Sequence, residues 1–399
     1  MTNEAPPLEP LKGIRILSFT QFLLGPAGVQ YLADLGADVI KIEPPGGTLF
    51  ERTWAGCDHF RNGVSVFFLC AHRNQRSLTL NLKHPEGQAV AKRLVAEADV
   101  LVQNFRPGVM ARLGLTYEDL APKNPRLVYV SASGYGQASP YRDRPGQDLL
   151  IQAMSGLASI SGRMGEPPTA VGAPVVDQHG AALLAMGVLA ALLDRERTGR
   201  GQQIEVSMIR AALDLQLEVV TYHLNGARMQ KSPTSLASMI HPGPYGIYET
   251  KDGYLALSMS PLPVLQEALQ VPDLAPLATE RFNHPAREQI ARILEPVIRT
   301  RTTAEWVEHL VPRGIWAAPV QAYDEVFADP GVQGAGVVDE VEHPVAGPIR
   351  LLRFPLEFSS GRATYRRHPP MPGEHTGEIL RELGYDEAEA RRLYEEGVV

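Results

Sequence analysis

The sequence predicts an α/β protein built on a doubly wound parallel sheet with a second, smaller unit. Three observations predict it. From Gly13 onward, short apolar strand patterns alternate with helical patterns, the rhythm of βαβ units covered on both faces. A chain of 399 residues exceeds one ordinary core and falls short of three. After Tyr222 the texture changes, because the stretch 225–245 is rich in Gly, Pro, Ser and Met and suits a linker or loop.

Taken in order, residues 14–19 read as a strand, Gly25-Pro26 opens an apolar-periodic helix to Leu35, and residues 37–42 read as a second strand. Ser77 to Leu82 reads as a strand and Pro85 to Ala98 as a helix, with Pro85 at a favourable first-turn position. Strands follow at 99–103 and 127–131. The apolar run Ala181 to Leu193 is a buried helix, and Gln203 to Ser207 is one more strand. In the smaller unit, Asp252-Gly253 between alternating apolar runs marks a hairpin, and helices occupy 288–300 and 303–313. A Gly- and Pro-rich return segment leads to a charged helix over 373–396. Domain limits of 1–222, 223–323 and 324–399 follow.

A net charge of -7 and a pI near 5.9 argue against binding a nucleic-acid backbone, which needs a basic excess to release counterions. Cys57 and Cys70 cannot form a disulfide framework and offer no zinc spacing, so a reducing compartment fits. The first ten residues lack the n-region and h-region of a signal peptide, and the apolar run 181–193 is shorter than a bilayer span. The expectation is a soluble, cytoplasmic protein without a membrane partner or a metal.

The first βα turn lacks the Gly-x-Gly-x-x-Gly fingerprint, which disfavours nicotinamide and flavin chemistry. Phosphate-loop, zincin and serine-hydrolase motifs are absent as well. His72, His84 and His179 read as ordinary polar or cap-adjacent residues. Asp177, in Val171-Gly-Ala-Pro-Val-Val-Asp177, stands at the entrance to the buried helix. By position it is either a helix cap or a nucleophile.

Several segments in a fixed order tip that balance. They are Leu11-Lys-Gly-Ile-Arg-Ile-Leu17, Leu35-Gly-Ala-Asp-Val-Ile-Lys-Ile-Glu43, Asn74-Gln-Arg-Ser77, Asn104-Phe-Arg-Pro-Gly108, Ser133-Gly-Tyr-Gly136, Thr198-Gly-Arg-Gly-Gln202 and the tail Pro372-Gly-Glu-His-Thr376. Together they resemble the family III CoA-transferases, the group that contains formyl-CoA transferase, carnitine CoA-transferases and α-methylacyl-CoA racemases. The resemblance runs nearly end to end. It implies a Rossmann-like large domain formed by both chain ends, a small α+β domain between them, and an interlocked homodimer. It also implies that Asp177 is the nucleophile, and that coenzyme A arrives as an acyl-CoA substrate with no permanently bound cofactor.

Carried over residue by residue, the resemblance gives Phe22, Leu80, Lys83, Asn104, Phe105, Arg112, Gly134, Tyr135 and Met208 as CoA-binding positions. Gln21, Leu23, Arg76 and Arg106 are weaker candidates, and Gly243 and Gly246 are candidate oxyanion donors from the small domain. Read without the resemblance, Phe22, Leu80 and Met208 are core residues, and Lys83 and Arg112 are solvated charges. Two departures narrow the function. The racemases carry His where this chain has Gln147, and Gln cannot shuttle a proton, so transfer is preferred over racemisation. Formyl-CoA transferase carries Gln where Leu23 stands, which points to a less polar acyl group than oxalate.

Overall fold

A computed structural model describes residues 6–278 and 282–399. The chain forms two compact units. The first comprises Met1–Met154, Ala173–Leu215 and Gly336–Val399, and the second comprises Ser155–Gly172 and Gln216–Ala335. The limits differ from those expected at 222 and 323. The segment 155–172, rich in Gly, Ser and Pro, belongs to the second unit, a placement decided by packing and not anticipated in the expected limits.

The first unit holds a six-stranded, all-parallel sheet. Its strands are β1 (Arg15–Phe19), β2 (Asp38–Glu43), β3 (Gln75–Thr79), β4 (Val100–Gln103), β5 (Val128–Ser133) and β6 (Gln203–Ser207), in the spatial order β3-β2-β1-β4-β5-β6. The order reverses between β1 and β4, and this switch point is where ligands of open α/β sheets bind, beyond the strand C-termini. Strands β1 to β4 are buried along nearly their whole length, as parallel strands covered on both faces must be.

Helix α1 (Leu24–Asp34) follows β1, and α2 (Pro85–Ala96) follows β3 with His84 as its cap: the His84 Nδ1 accepts the Glu86 N–H at 3.2 Å. A short helix α3 (Asp148–Met154) precedes the long α4 (Val175–Thr198), and α5 (Met208–Leu215) leaves β6 directly. Helices α1 and α4 approach closely because glycines meet there. A Cβ on Gly28 would lie 2.9 Å from the Ala181 carbonyl oxygen, and one on Gly180 would lie 2.5 Å from Leu24 Cδ1. At 24 residues with a mean hydropathy of 1.5 over its most apolar window, α4 is long and apolar enough by composition to cross a membrane, unlike the shorter run read from the sequence. One face of it is buried in this unit against α1, α5 and the sheet.

Two elements depart from expectation. The C-terminal helix is split into Thr376–Glu382 and Glu387–Glu395. Gly384 turns left-handed (φ +83°) after the first, and Asp386 starts the second with a reciprocal capping box to Glu389. The return segment also contains an antiparallel hairpin, Val338–His343 with Gly347–Leu352, whose alternation is masked by its charged outer face.

The second unit has a three-stranded antiparallel sheet of β7 (Gly246–Glu249), β8 (Tyr254–Leu257) and β9 (Ala317–Pro319). The Asp252-Gly253 turn joins β7 and β8 as expected. Tyr248, Leu255 and Leu257 pack with Ile290, Leu294, Trp306 and Leu310 from helices α6 (Arg287–Ile298) and α7 (Thr303–Leu310) to form its core.

Candidate active site

The loop after β1 is held from three directions. The Asn104 side chain accepts the Gln21 N–H at 2.9 Å and donates to the Gln21 carbonyl at 2.7 Å, which ties the ends of β1 and β4 together. Beneath the loop, the ammonium of Lys41 donates to the Thr20 carbonyl at 3.0 Å and pairs with Glu51 at 3.2 Å, and both side chains are fully buried. The second oxygen of Glu51 accepts the Phe22 N–H at 3.4 Å. Phe22 itself sits at φ +63°, a costly conformation for a bulky residue that persists only where its surroundings impose it. Its ring is exposed and lies 4.9 Å from that of Phe50.

Next along the sheet, Gly134 follows β5. A Cβ there would lie 2.6 Å from the Gly146 Cα, so Gly134 is required by a backbone-on-backbone crossing. The Gly134 carbonyl accepts the Ile209 N–H at 3.0 Å, which brings the buried Met208 at the start of α5 alongside. Tyr135 is buried, with its hydroxyl 3.4 Å from the Met154 sulfur.

Asp177 lies in the first turn of α4 and does not cap it. Pro174 occupies the cap position and offers no side-chain acceptor. The missing acceptor comes from a different segment: Asp148 Oδ1 takes the N–H groups of Val176 at 2.8 Å and Asp177 at 3.0 Å, and its Oδ2 accepts from Gln152 Nε2 at 2.6 Å. With its cap duty taken over, the Asp177 carboxylate has no hydrogen bond or ion pair among the described residues. Burial, and secondarily the Asp148 charge, push its pKa up from 3.8 to about 7. The Asp177 carboxylate is thus half-buried at the first turn of its helix and free of any structural acceptor duty.

The model of CoA-transferase family III matches residues 11–376. The chain belongs to that family. The chain is 34% identical over 400 residues to the succinyl-CoA:glutarate CoA-transferase of Mus musculus, covering 98% of this chain and 91% of that one. It is 32% identical to the formyl-CoA:oxalate CoA-transferase of Escherichia coli O157:H7, covering 95% of this chain and 97% of the other. The crystal structure of Rv3272 from Mycobacterium tuberculosis superposes with a TM-score of 0.81 at 31% identity, covering 94% of this chain and all of that one.

Within this family III chain the remaining sequence-derived positions divide into three groups. Leu80 is a core side chain, and Phe105 packs against the same cluster, so these two segments adjoin through their apolar sides. Lys83, Arg106 and Arg112 are exposed cations without an ion pair among the described residues, the state a phosphate ligand would need. Arg76 is different. Its guanidinium is buried and engaged by Asp38 at 2.7 Å, Glu378 at 2.8 Å and Glu382 at 2.6 Å, so it welds β3 to the C-terminal helix instead of facing a phosphate.

In the second unit, Gly246 is the first residue of β7, paired with Leu257, and a Cβ on it would lie 2.3 Å from the Ser235 carbonyl oxygen. A Cβ on Gly243 would lie 3.0 Å from Ile290. Both glycines are therefore explained by close packing within that unit, and neither belongs to an open glycine-rich loop.

Sequence reading missed Asp148, Lys41 and Glu51. A lysine inside the apolar strand Val39-Ile-Lys-Ile42 was the available signal for the buried pair. Asp148 stood beside Gln147, in a segment weighed only for a proton-transfer residue.

Proposed function

We propose that this chain transfers coenzyme A from an acyl-CoA to a carboxylic acid through covalent intermediates on Asp177. The observation that carries the reading is the Asp177 carboxylate itself, half-buried and unpaired while another residue caps its helix. A carboxylate oxygen of Asp177 attacks the thioester carbon, the C–S bond breaks, and CoA leaves as thiolate. The thiolate then attacks the Asp177 carbonyl of the anhydride, releasing the first acid and leaving an aspartyl-CoA thioester. The acceptor carboxylate attacks that thioester and frees the thiolate again, which opens the second anhydride at the acceptor carbon and restores Asp177. Bonds of similar energy are exchanged throughout, so no ATP is needed.

Holding the sulfur beside Asp177 supplies the proximity that such a sequence requires. Phe22, Asn104, Gly134, Tyr135 and Met208 line the strand ends where the CoA body would lie, and Lys83, Arg106 and Arg112 would meet its phosphates. Succinyl-CoA, the donor named for the mouse relative, is the first donor to test, against a panel of dicarboxylic and hydroxy acids. Gln147 favours transfer over racemisation.

A second copy of the chain completes the proposal. Between Gly180 and Leu193 helix α4 is apolar around its whole circumference, and Met186, Leu189 and Leu193 are exposed along its outer face, as expected of a helix buried in a homodimer. Incubation with acyl-CoA should leave a hydroxylamine-sensitive mass adduct on Asp177, lost in Asp177→Ala while CoA still binds. A full transfer rate in that variant sinks the proposal. Rapid α-proton exchange in deuterated water without an acceptor acid would replace it with racemisation.

A further inference from the structure

We propose that Asp148 is a positioning residue for the transfer reaction, anchoring the first turn of α4 from another segment of the chain so that the Asp177 carboxylate is held in place. The proposal rests on Asp177 being the nucleophile. Its basis is geometric. The orphan N–H groups of a helix's first turn are ordinarily accepted by the side chain of the cap residue, and Pro174 has no side-chain acceptor to offer. Asp148 Oδ1 already accepts two of those groups, at 2.8 and 3.0 Å, and Gln152 fixes its other oxygen at 2.6 Å. Asp148 is itself buried, so its rotamer is set by α3 and not by solvent.

The same carboxylate brings a negative charge next to the nucleophile. The other charged or titratable groups near α4 do not supply an equivalent field. On α1, Tyr31 is bonded to Gln178 at 2.5 Å and Asp34 is neutralised by Arg73 at 2.7 Å. On β5 there is Tyr129, bonded to the Leu115 carbonyl. On β6 and α5, Glu205 lies 3.7 Å from Arg210, and Asp214 pairs with His179 of α4 itself at 2.7 Å. Asp148 is the charged group that acts on Asp177, and it acts as a like charge. One residue thus leaves the nucleophile free, points it, and makes its carboxylate more basic and so a stronger nucleophile once ionised.

Two variants separate these roles. Asp148→Asn keeps an oxygen for the two N–H groups and removes the charge. The acid limb of kcat/KM, which reports the free enzyme, should move to lower pH by about 1 unit, with KM for acyl-CoA changed less than about threefold. Asp148→Ala removes the anchor, and kcat should fall by roughly 10- to 100-fold at an unchanged KM. An acid limb that stays in place in Asp148→Asn overturns the proposal, whether or not Asp148→Ala folds. So does a normal kcat in Asp148→Ala. Failure of the underlying reading has its own signature, normal transfer by Asp177→Ala, which no result with Asp148 variants would mimic.

Discussion

Lys41 and Glu51 form a 3.2 Å ion pair with no exposed side-chain surface, directly beneath the loop that carries Phe22. Removing one partner leaves an uncompensated buried charge, so Lys41→Met should cost about 3–5 kcal/mol in denaturant unfolding. The double variant Lys41→Met, Glu51→Leu should recover most of that stability. If the pair also holds Phe22 in its left-handed conformation, the double variant will still bind acyl-CoA about tenfold more weakly. Equal CoA affinity in the double variant would show that the pair serves stability alone.

Asp177 should behave as a nucleophile that costs the fold stability. Its folded pKa of about 7 lies above the ordinary 3.8, so the native state holds a proton that the unfolded state has released between those values. Wild-type stability therefore falls as pH rises from about 4 to 7. Asp177→Asn has no such charge, and its advantage should be absent below pH 4 and complete above pH 7, reaching about 2–4 kcal/mol. Melting curves at pH 4, 6 and 8 read this directly, alongside a loss of transfer of at least about a thousandfold.

The pH dependence of activity has the opposite sign. In the proposed reaction the attacking species is the carboxylate, so kcat/KM should rise as pH increases through about 7 and level off above it. A profile already flat at pH 5 would mean that Asp177 is ionised far below that value.

Arg76 and Arg112 offer a clean contrast. Arg76→Ala removes a buried guanidinium from three partly exposed carboxylates and should destabilise the protein by about 1–3 kcal/mol, with KM for acyl-CoA little changed. Arg112 is exposed, so Arg112→Ala should leave the melting temperature within about 1 °C and raise KM roughly tenfold.

Gly134→Ala tests the backbone crossing. The added methyl would meet the Gly146 Cα, a main-chain atom that cannot rotate away, and should cost about 1–3 kcal/mol with a loss of activity. Tolerance without loss would mean that the two loops part easily.

Much of this protein was legible in the amino-acid order. Short apolar runs alternating with period-3.6 segments marked the strands of the large parallel sheet to within a few residues, because strands covered on both faces are mostly apolar and the helices between them present one apolar face. The ordered motifs marked Asp177 and the strand-end positions of the proposed CoA site. Only the tertiary structure decided what each marked residue is free to do. Asp177 and a capping Asp look alike in sequence, and the difference is made by Asp148, far away along the chain, taking the N–H groups. Arg76 and Arg112 look alike as cations, and three carboxylates from distant segments claim one of them. Partnership across long sequence separations is set by packing, which a local pattern does not record.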